Sequence, residues 1–205
     1  MKPIFSRNED IDKIAFLNWR ISPHSEILNI LNLADGFLLA AIELATQCLE
    51  NNEGKRADII IFPILTNANH GIELYLKALT WMLNKLLNTE YKIEGSHNIK
   101  QIYQTVKCKI KAYNGQLTLK DFEEETKSLS EYITELTEKI KSTEKKDRMD
   151  FSRYPFSNKY ENHFYVDEIG NVEIDLENFI LRFNIIREKL EYITEHFYYD
   201  ELNQE

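Results

Sequence analysis

The chain is poor in the residues that break or cross-link a polypeptide. Its 205 residues include six glycines, four prolines and two cysteines. So few turn-formers exclude a many-stranded β fold and favour long helices. Cys48 and Cys108 lie far apart and match no metal-binding or redox spacing. With the polar, acidic opening MKPIFSRNEDID, they predict a cytoplasmic protein with free thiols and no secretory leader. Gly-rich phosphate loops, nucleophile elbows and metal-type His spacings are missing too, so no cofactor and no metal are expected. Nor is there an excess of basic residues. The net charge of −9 opposes indiscriminate binding to a polyanion. What the chain does have is apolar content, 43%, enough for one sizeable core and too much for disorder over most of its length. One domain over residues 1–205 is expected.

The most apolar stretch is residues 59–87, IIIFPILTNANHGIELYLKALTWMLNKLL. Phe62, Leu65, Ile72, Leu76, Leu79 and Leu83 recur at helical steps, and Trp81, Met82 and Leu86 widen the stripe. A helix this apolar has to be covered on nearly every side. Pro63, Asn67, Asn69, His70, Glu73 and Lys77 interrupt it too often for a membrane span. A second stripe, Thr66, His70, Glu73, Lys77 and Asn84, is polar and keeps the same period. A polar stripe on a central helix needs either a functional or a structural account.

Around that helix the pattern predicts others. Residues 1–23 are irregular, with Phe5, Ile11, Ile14, Phe16, Leu17 and Trp19 as candidate anchors. A first helix is expected over residues 25–50, capped by Ser22 or Ser25, with Ile27, Leu31, Ala34, Leu38, Ala41 and Ala45 inward. Its small residues Ala34, Gly36, Ala40, Ala41 and Ala45 would admit a neighbour closely. Gly54 suits a left-handed cap after it, and Pro63 the first turn of the central helix. A short helix starting at Ser96 or His97 carries Ile99, Ile102, Tyr103 and Val106 inward and ends at the Asn114-Gly115 turn. One helix is expected over residues 118–142, on the outside of the bundle. Residues 142–150 read as a solvated connector, and alternation over residues 164–175 predicts a small β-hairpin around Gly170-Asn171. Asp175 caps a last helix running to about residue 198. Its stripe, from Leu176 through Phe183 and Leu190 to Phe197, is either a core face or half of a dimer seam.

Three segments, in this order, resemble a HEPN (higher eukaryotes and prokaryotes nucleotide-binding) domain. They are NHGIELYLKAL at residues 69–79, GSHNIKQIY at residues 95–103, with Asn98 where the family usually has Asp, and SRYPF at residues 152–156 before the last helix. The family-like core covers residues 59–198, leaving residues 1–58 as an N-terminal segment and first helix. The resemblance implies an all-α, up-and-down helical bundle that forms a homodimer through its terminal helices. It further implies interaction with RNA or a nucleotide. Many members are metal-independent ribonucleases of toxin–antitoxin or phage-defence systems, and others are non-catalytic subunits. An antitoxin or a nucleotidyltransferase would be the protein partner. The family's nucleases carry an Arg and a His separated by four to six residues, whereas nine separate Arg153 from His163. Asn158 falls where that His would stand, but an amide cannot act as a base.

Metal-free RNA cleavage needs a base for the 2′-hydroxyl proton and a cation for the developing phosphorane, roles that suit His and Arg. Arg153 and His163 are therefore the candidate catalytic pair, with Tyr154 placed to stack on a base. The alternative reading ties Arg153 to an acidic helix face and leaves His163 exposed. Glu73 and Lys77 form an i,i+4 pair, worth about 0.2–0.5 kcal/mol if exposed and needing further partners if buried. Arg153 is the expected partner of Glu73. His70 and His97 are expected to be hydrogen-bonded or capping residues. Between residues 95 and 120 there are five lysines and no Asp or Glu. Of these, Lys100, Lys107, Lys109 and Lys111 are candidate phosphate contacts, or a solvated face. The competing functional class is a non-catalytic protein-interaction module whose polar stripe only holds the bundle together.

Overall fold

Two long helices form the centre: α1 (Glu26–Glu50) and α2 (Ala57–Leu86), joined by residues 51–56 and so packed as antiparallel neighbours. The computed structural model describes residues 1–90, 93, 95–141, 149–157, 159–166 and 171–203. The two backbones approach closely at Gly71. A Cβ there would lie 2.7 Å from Leu38 Cγ and 3.0 Å from the Ala34 carbonyl oxygen. Ala34, Ala41 and Ala45 do face this contact, whereas Gly36 has no neighbour within 4 Å of a Cβ placed on it. By length and hydropathy α1 could cross a bilayer. In the fold its Ile27, Leu38 and Ile42 pack into the core, while Leu33, Leu39 and Leu49 are exposed.

Between Ala68 and Asn84 almost every residue of α2 is buried, as a helix apolar all round must be. The helix starts earlier than its apolar pattern, so Pro63 sits in the second turn and not the first. Pro63 is exposed, and so is Ile59, whose carbonyl loses its helical partner and is left to water. Gly54 does take a positive φ of 63°, but in a short 3-10 turn after α1 has ended at Asn51.

Four more helices complete the bundle, α3 (Ile99–Tyr113), α4 (Leu119–Glu125), α5 (Lys127–Lys141) and α6 (Leu176–Glu195), with α3 and α6 packed on α2 and α4 packed on α3 and α5. A capping box between Thr118 and Asp121 starts α4. The single helix expected over residues 118–142 is broken at Thr126. This buried threonine returns its hydroxyl to the Phe122 carbonyl at 2.6 Å and meets Tyr103 Oη at 2.8 Å. A back-bonding threonine fixed by a tertiary partner competes with the helical ladder. Asp175 caps α6 as expected, and α6 passes into a π-type turn, His196–Glu201. Phe179, Phe183, Ile186, Leu190, Ile193 and Phe197 are buried within the same chain, so the stripe is a core face.

Side-chain pairs give the directions. His97 meets Glu73 and Lys109 meets Asn84, so α3 runs parallel to α2. Lys107 meets Glu123 while Tyr103 meets Thr126, and Lys189 meets Glu125 while Arg182 meets Glu135. The α4–α5 unit is therefore antiparallel to both α3 and α6. The molecule is an all-α bundle with one parallel step between α2 and α3, and not a strict up-and-down one.

Among the described residues there is no strand. One antiparallel bridge joins Phe156 and Asn162. The turn of the expected hairpin, at residues 167–170, lies outside the described residues, as does Asn158. Phe151 and Phe164 pack with Ile140 in a small second cluster, docked against Leu65 of α2. The proposed N-terminal anchors do not anchor: Phe5, Ile11, Phe16, Leu17 and Trp19 are all exposed, and only Ile14 is half-buried.

Candidate functional site

The polar side chains of α2 become a row of contacts to α1, α3, α5 and the turn at Ser152. Thr66 Oγ1 donates to the Ser152 carbonyl at 3.1 Å. Tyr132 of α5 donates to Asn69 Oδ1 at 2.7 Å. His70 lies edge-on to Phe37 of α1, with ring centroids 4.5 Å apart. Lys109 of α3 donates to Asn84 Oδ1 at 2.6 Å.

At the middle of the row lies Glu73, 4% exposed. Lys77 Nζ donates to Glu73 Oε1 at 2.9 Å, and His97 Nδ1 reaches the same oxygen at 2.9 Å. His70 Nδ1 stands 4.0 Å from Oε2, near enough to act electrostatically but too far for a hydrogen bond. Burial opposes ionisation of this carboxyl. His70, Lys77 and His97 gathered round it outweigh that and hold its pKa at about 2. Glu73 is an anion in the core at any ordinary pH.

The chain reaches this carboxylate because Asn98 caps α3, accepting from the Gln101 N–H at 3.1 Å. Asn98 is the capping residue, which leaves the preceding His97 for Glu73. The His97 side chain is 81% exposed. With its proton on Nδ1 and donated to Glu73, its Nε2 carries a lone pair and faces solvent. Lys100, in the first turn of α3, is exposed as well. A buried carboxylate orienting an exposed imidazole is an arrangement that can accept a proton from a bound hydroxyl.

The other candidates are placed differently. The expected Arg153–Glu73 contact is not made: Arg153 is exposed, and Glu73's partners are Lys77, His97 and His70. The Arg153 loop does dock on the polar stripe of α2, but through Ser152 at Thr66, two turns before Glu73. His163 is not the exposed residue of the alternative reading. It is 1% exposed and stacks on Tyr165, centroids 6.1 Å apart. Tyr154 is exposed, and its carbonyl accepts from Tyr165 Oη at 3.5 Å. Of the lysines, Lys107 is committed to Glu123 at 2.5 Å and Lys109 to Asn84, while Lys100 and Lys111 are exposed.

Sequence reasoning missed two links, one buried and one half-buried. The first is Tyr132–Asn69, since nothing in an amphipathic pattern pairs a tyrosine with an asparagine 63 positions away. The second is Asp35, which accepts from Arg187 Nε at 2.5 Å and Nη2 at 3.1 Å and from Tyr75 Oη at 3.4 Å. Burial and the Asp35 charge push the Tyr75 phenol well above its usual range. A signal existed here: Asp35 is the only charge between Ile27 and Ile42. Comparison with protein-family models, with curated proteins and with solved structures found no match to this chain.

Proposed function

We infer that this is a HEPN-type helical domain that interacts with RNA or a nucleotide at the start of α3. The reaction that fits is metal-independent cleavage of a phosphodiester, in the setting of a bacterial toxin–antitoxin or phage-defence system. The observation that carries the reading is the exposed His97 held by the buried Glu73 at 2.9 Å. In the reaction His97 Nε2 takes the 2′-hydroxyl proton. The 2′-oxygen then attacks the adjacent phosphorus, the P–O5′ bond breaks as a 2′,3′-cyclic phosphate forms, and the 5′-oxygen takes a proton from water as it leaves. Lys100 supplies positive charge beside the phosphate. His163 is 1% exposed, which supports His97, just before α3, over His163 in this role.

RNA turnover in excess chelator tests the reading. His97→Ala should lower it by about 10²-fold or more, the usual contribution of a general base. His163→Ala and Arg153→Ala should leave it within a few-fold if the protein stays folded. Turnover unchanged in His97→Ala would remove this histidine from the mechanism.

A second reading is favoured by the same row of contacts. Thr66, Asn69, Glu73, Lys77 and Asn84 each have a partner within the chain, as expected of a non-catalytic interaction module. Loss of stability in Glu73→Gln, with no RNA turnover in the native protein, would select it.

A further inference from the structure

We propose that His70 is the second proton-transfer group of the His97 site: it supplies the proton that water passes to the 5′-oxygen, and it then draws a proton from the water that opens the 2′,3′-cyclic phosphate. This rests on the reading of His97 as the base and extends it to the acid and the final product. The cover of the central helix has one gap. Between Ala68 and Thr80 every residue of α2 is buried except His70 and Leu74, which are half-buried and one turn apart. His70 and Glu73 are three positions apart and so share a face of the helix. Water therefore reaches the middle of α2 at the His70 ring, beside the Glu73 carboxylate.

Two contacts set the orientation of this ring. Phe37 of α1 meets it edge-on, with centroids 4.5 Å apart and planes at 79°. Phe37 is near because Gly71, the next residue of α2, lets α1 approach closely at Leu38. Nδ1 turns inward: it is buried, has no hydrogen-bond partner among the described residues and stands 4.0 Å from Glu73 Oε2. The side chain is nonetheless 32% exposed, so the Nε2 side of the ring is what faces water. A histidine with a packing role alone would be expected to satisfy a buried ring nitrogen. Catalytic hydrogen bonds, by contrast, are often long before substrate binds and tighten when it does.

The two oxygens of one buried carboxylate thus face two imidazoles, Oε1 that of His97 at 2.9 Å and Oε2 that of His70. Both rings turn Nδ1 inward, and water reaches both. In-line displacement at phosphorus puts the attacking 2′-oxygen and the departing 5′-oxygen on opposite sides, and so calls for two proton-transfer groups. His97 begins neutral and His70 as the imidazolium, its charge set against Glu73. As the P–O5′ bond breaks, His97 Nε2 gains the 2′-hydroxyl proton, and His70 Nε2–H gives its proton to the water that protonates the 5′-oxygen. Neutral His70 then takes a proton from a second water, whose oxygen bonds to phosphorus. The P–O2′ bond breaks, and His97 returns a proton to the 2′-oxygen. The product is a 3′-phosphate, and each histidine ends as it began. Charge fits as well. Glu73 offsets Lys77, and the one extra proton on the two imidazoles leaves a single positive charge to meet the single negative charge of a phosphodiester.

Two forms of one short single-stranded RNA test this, alike except that in one the departing 5′-oxygen at the cleavage position is replaced by sulfur. A thiolate leaves without needing a proton. In excess chelator the native protein should cleave both and carry the product through to the 3′-phosphate. His70→Ala should slow the oxygen form by about 10²-fold or more, leave the sulfur form within a few-fold and stop at the cyclic phosphate. His97→Ala should slow both. If the alanine variant at His70 loses its helical circular dichroism, His70→Asn, which keeps a planar polar group against Phe37, takes its place. A His70 variant that slows both forms equally, or neither, overturns the proposal and leaves His97 as the base. A native end product that stays cyclic overturns it too. A native protein that cleaves no RNA overturns the reading of His97 and this proposal together.

Discussion

Replacing Glu73 by Gln is the most direct test of how α2 is held. The substitution keeps the shape and an acceptor for Lys77 and His97 but removes the charge. Lys77 is 7% exposed. It would keep a buried ammonium whose one hydrogen-bonded counter-charge has gone. Breaking a buried pair from one side costs about 3–5 kcal/mol. An independent route gives a similar size. Holding the carboxyl at about 2, against its ordinary 4.5, corresponds to about 3 kcal/mol of native-state stabilisation at neutral pH. Since Gln still accepts a hydrogen bond, a loss of about 2–4 kcal/mol is expected from urea unfolding at pH 7.

The pH dependence has a definite sign. A carboxylate depressed in the folded state stabilises above its unfolded value of 4.5, and that stability is lost as pH falls through the folded value of about 2. The difference between the native protein and Glu73→Gln should therefore be constant above pH 5 and shrink between 4.5 and 2. Removing both charges with Glu73→Gln/Lys77→Met should recover at least half of the loss, because no charge is then left unpaired. A single-variant loss under about 1 kcal/mol, or a double variant as unstable as the sum of its parts, would refute the account of Glu73 as the anion that neutralises Lys77.

Two further substitutions probe the packing on either side. Gly71→Ala places a methyl against Leu38 and the Ala34 carbonyl, so the gain in helix propensity should be exceeded by overpacking. A net loss of about 1–3 kcal/mol is expected, read as a lower thermal midpoint; a raised midpoint would mean that α1 yields easily. Tyr132→Phe removes the donor to Asn69 Oδ1 in a buried site and should cost about 1–3 kcal/mol, whereas a change under about 0.5 would show that water replaces the phenol.

The helices were legible because their apolar stripes are long and regular. α1, α2, α3 and α6 all stand where periodicity puts them, and Asp175 and the Asn114 turn end or start helices as composition suggests. What periodicity could not carry was contact between stripes. The break at Thr126 depends on Tyr103, 23 positions away, and without that partner the segment reads as one helix. The parallel step from α2 to α3 was hidden for the same reason. A loop's composition does not say whether the chain returns before the next helix starts.

Glu73 shows where local reasoning stops and what replaces it. The i,i+4 spacing identified Lys77 as a partner, and burial required more partners, both correctly. The resemblance of its loop to a family motif points to Arg153, yet the partner is His97, 24 positions on. The cap explains the choice. Once Asn98 takes the N-cap, the residue before it lies outside the helix, and α3 running parallel to α2 brings that residue to the middle of the polar stripe. A buried carboxylate can be satisfied by any cation or donor that the fold brings near, so its partner is a property of topology and not of spacing. Among the described residues, the donor to Glu73 that also faces water is His97.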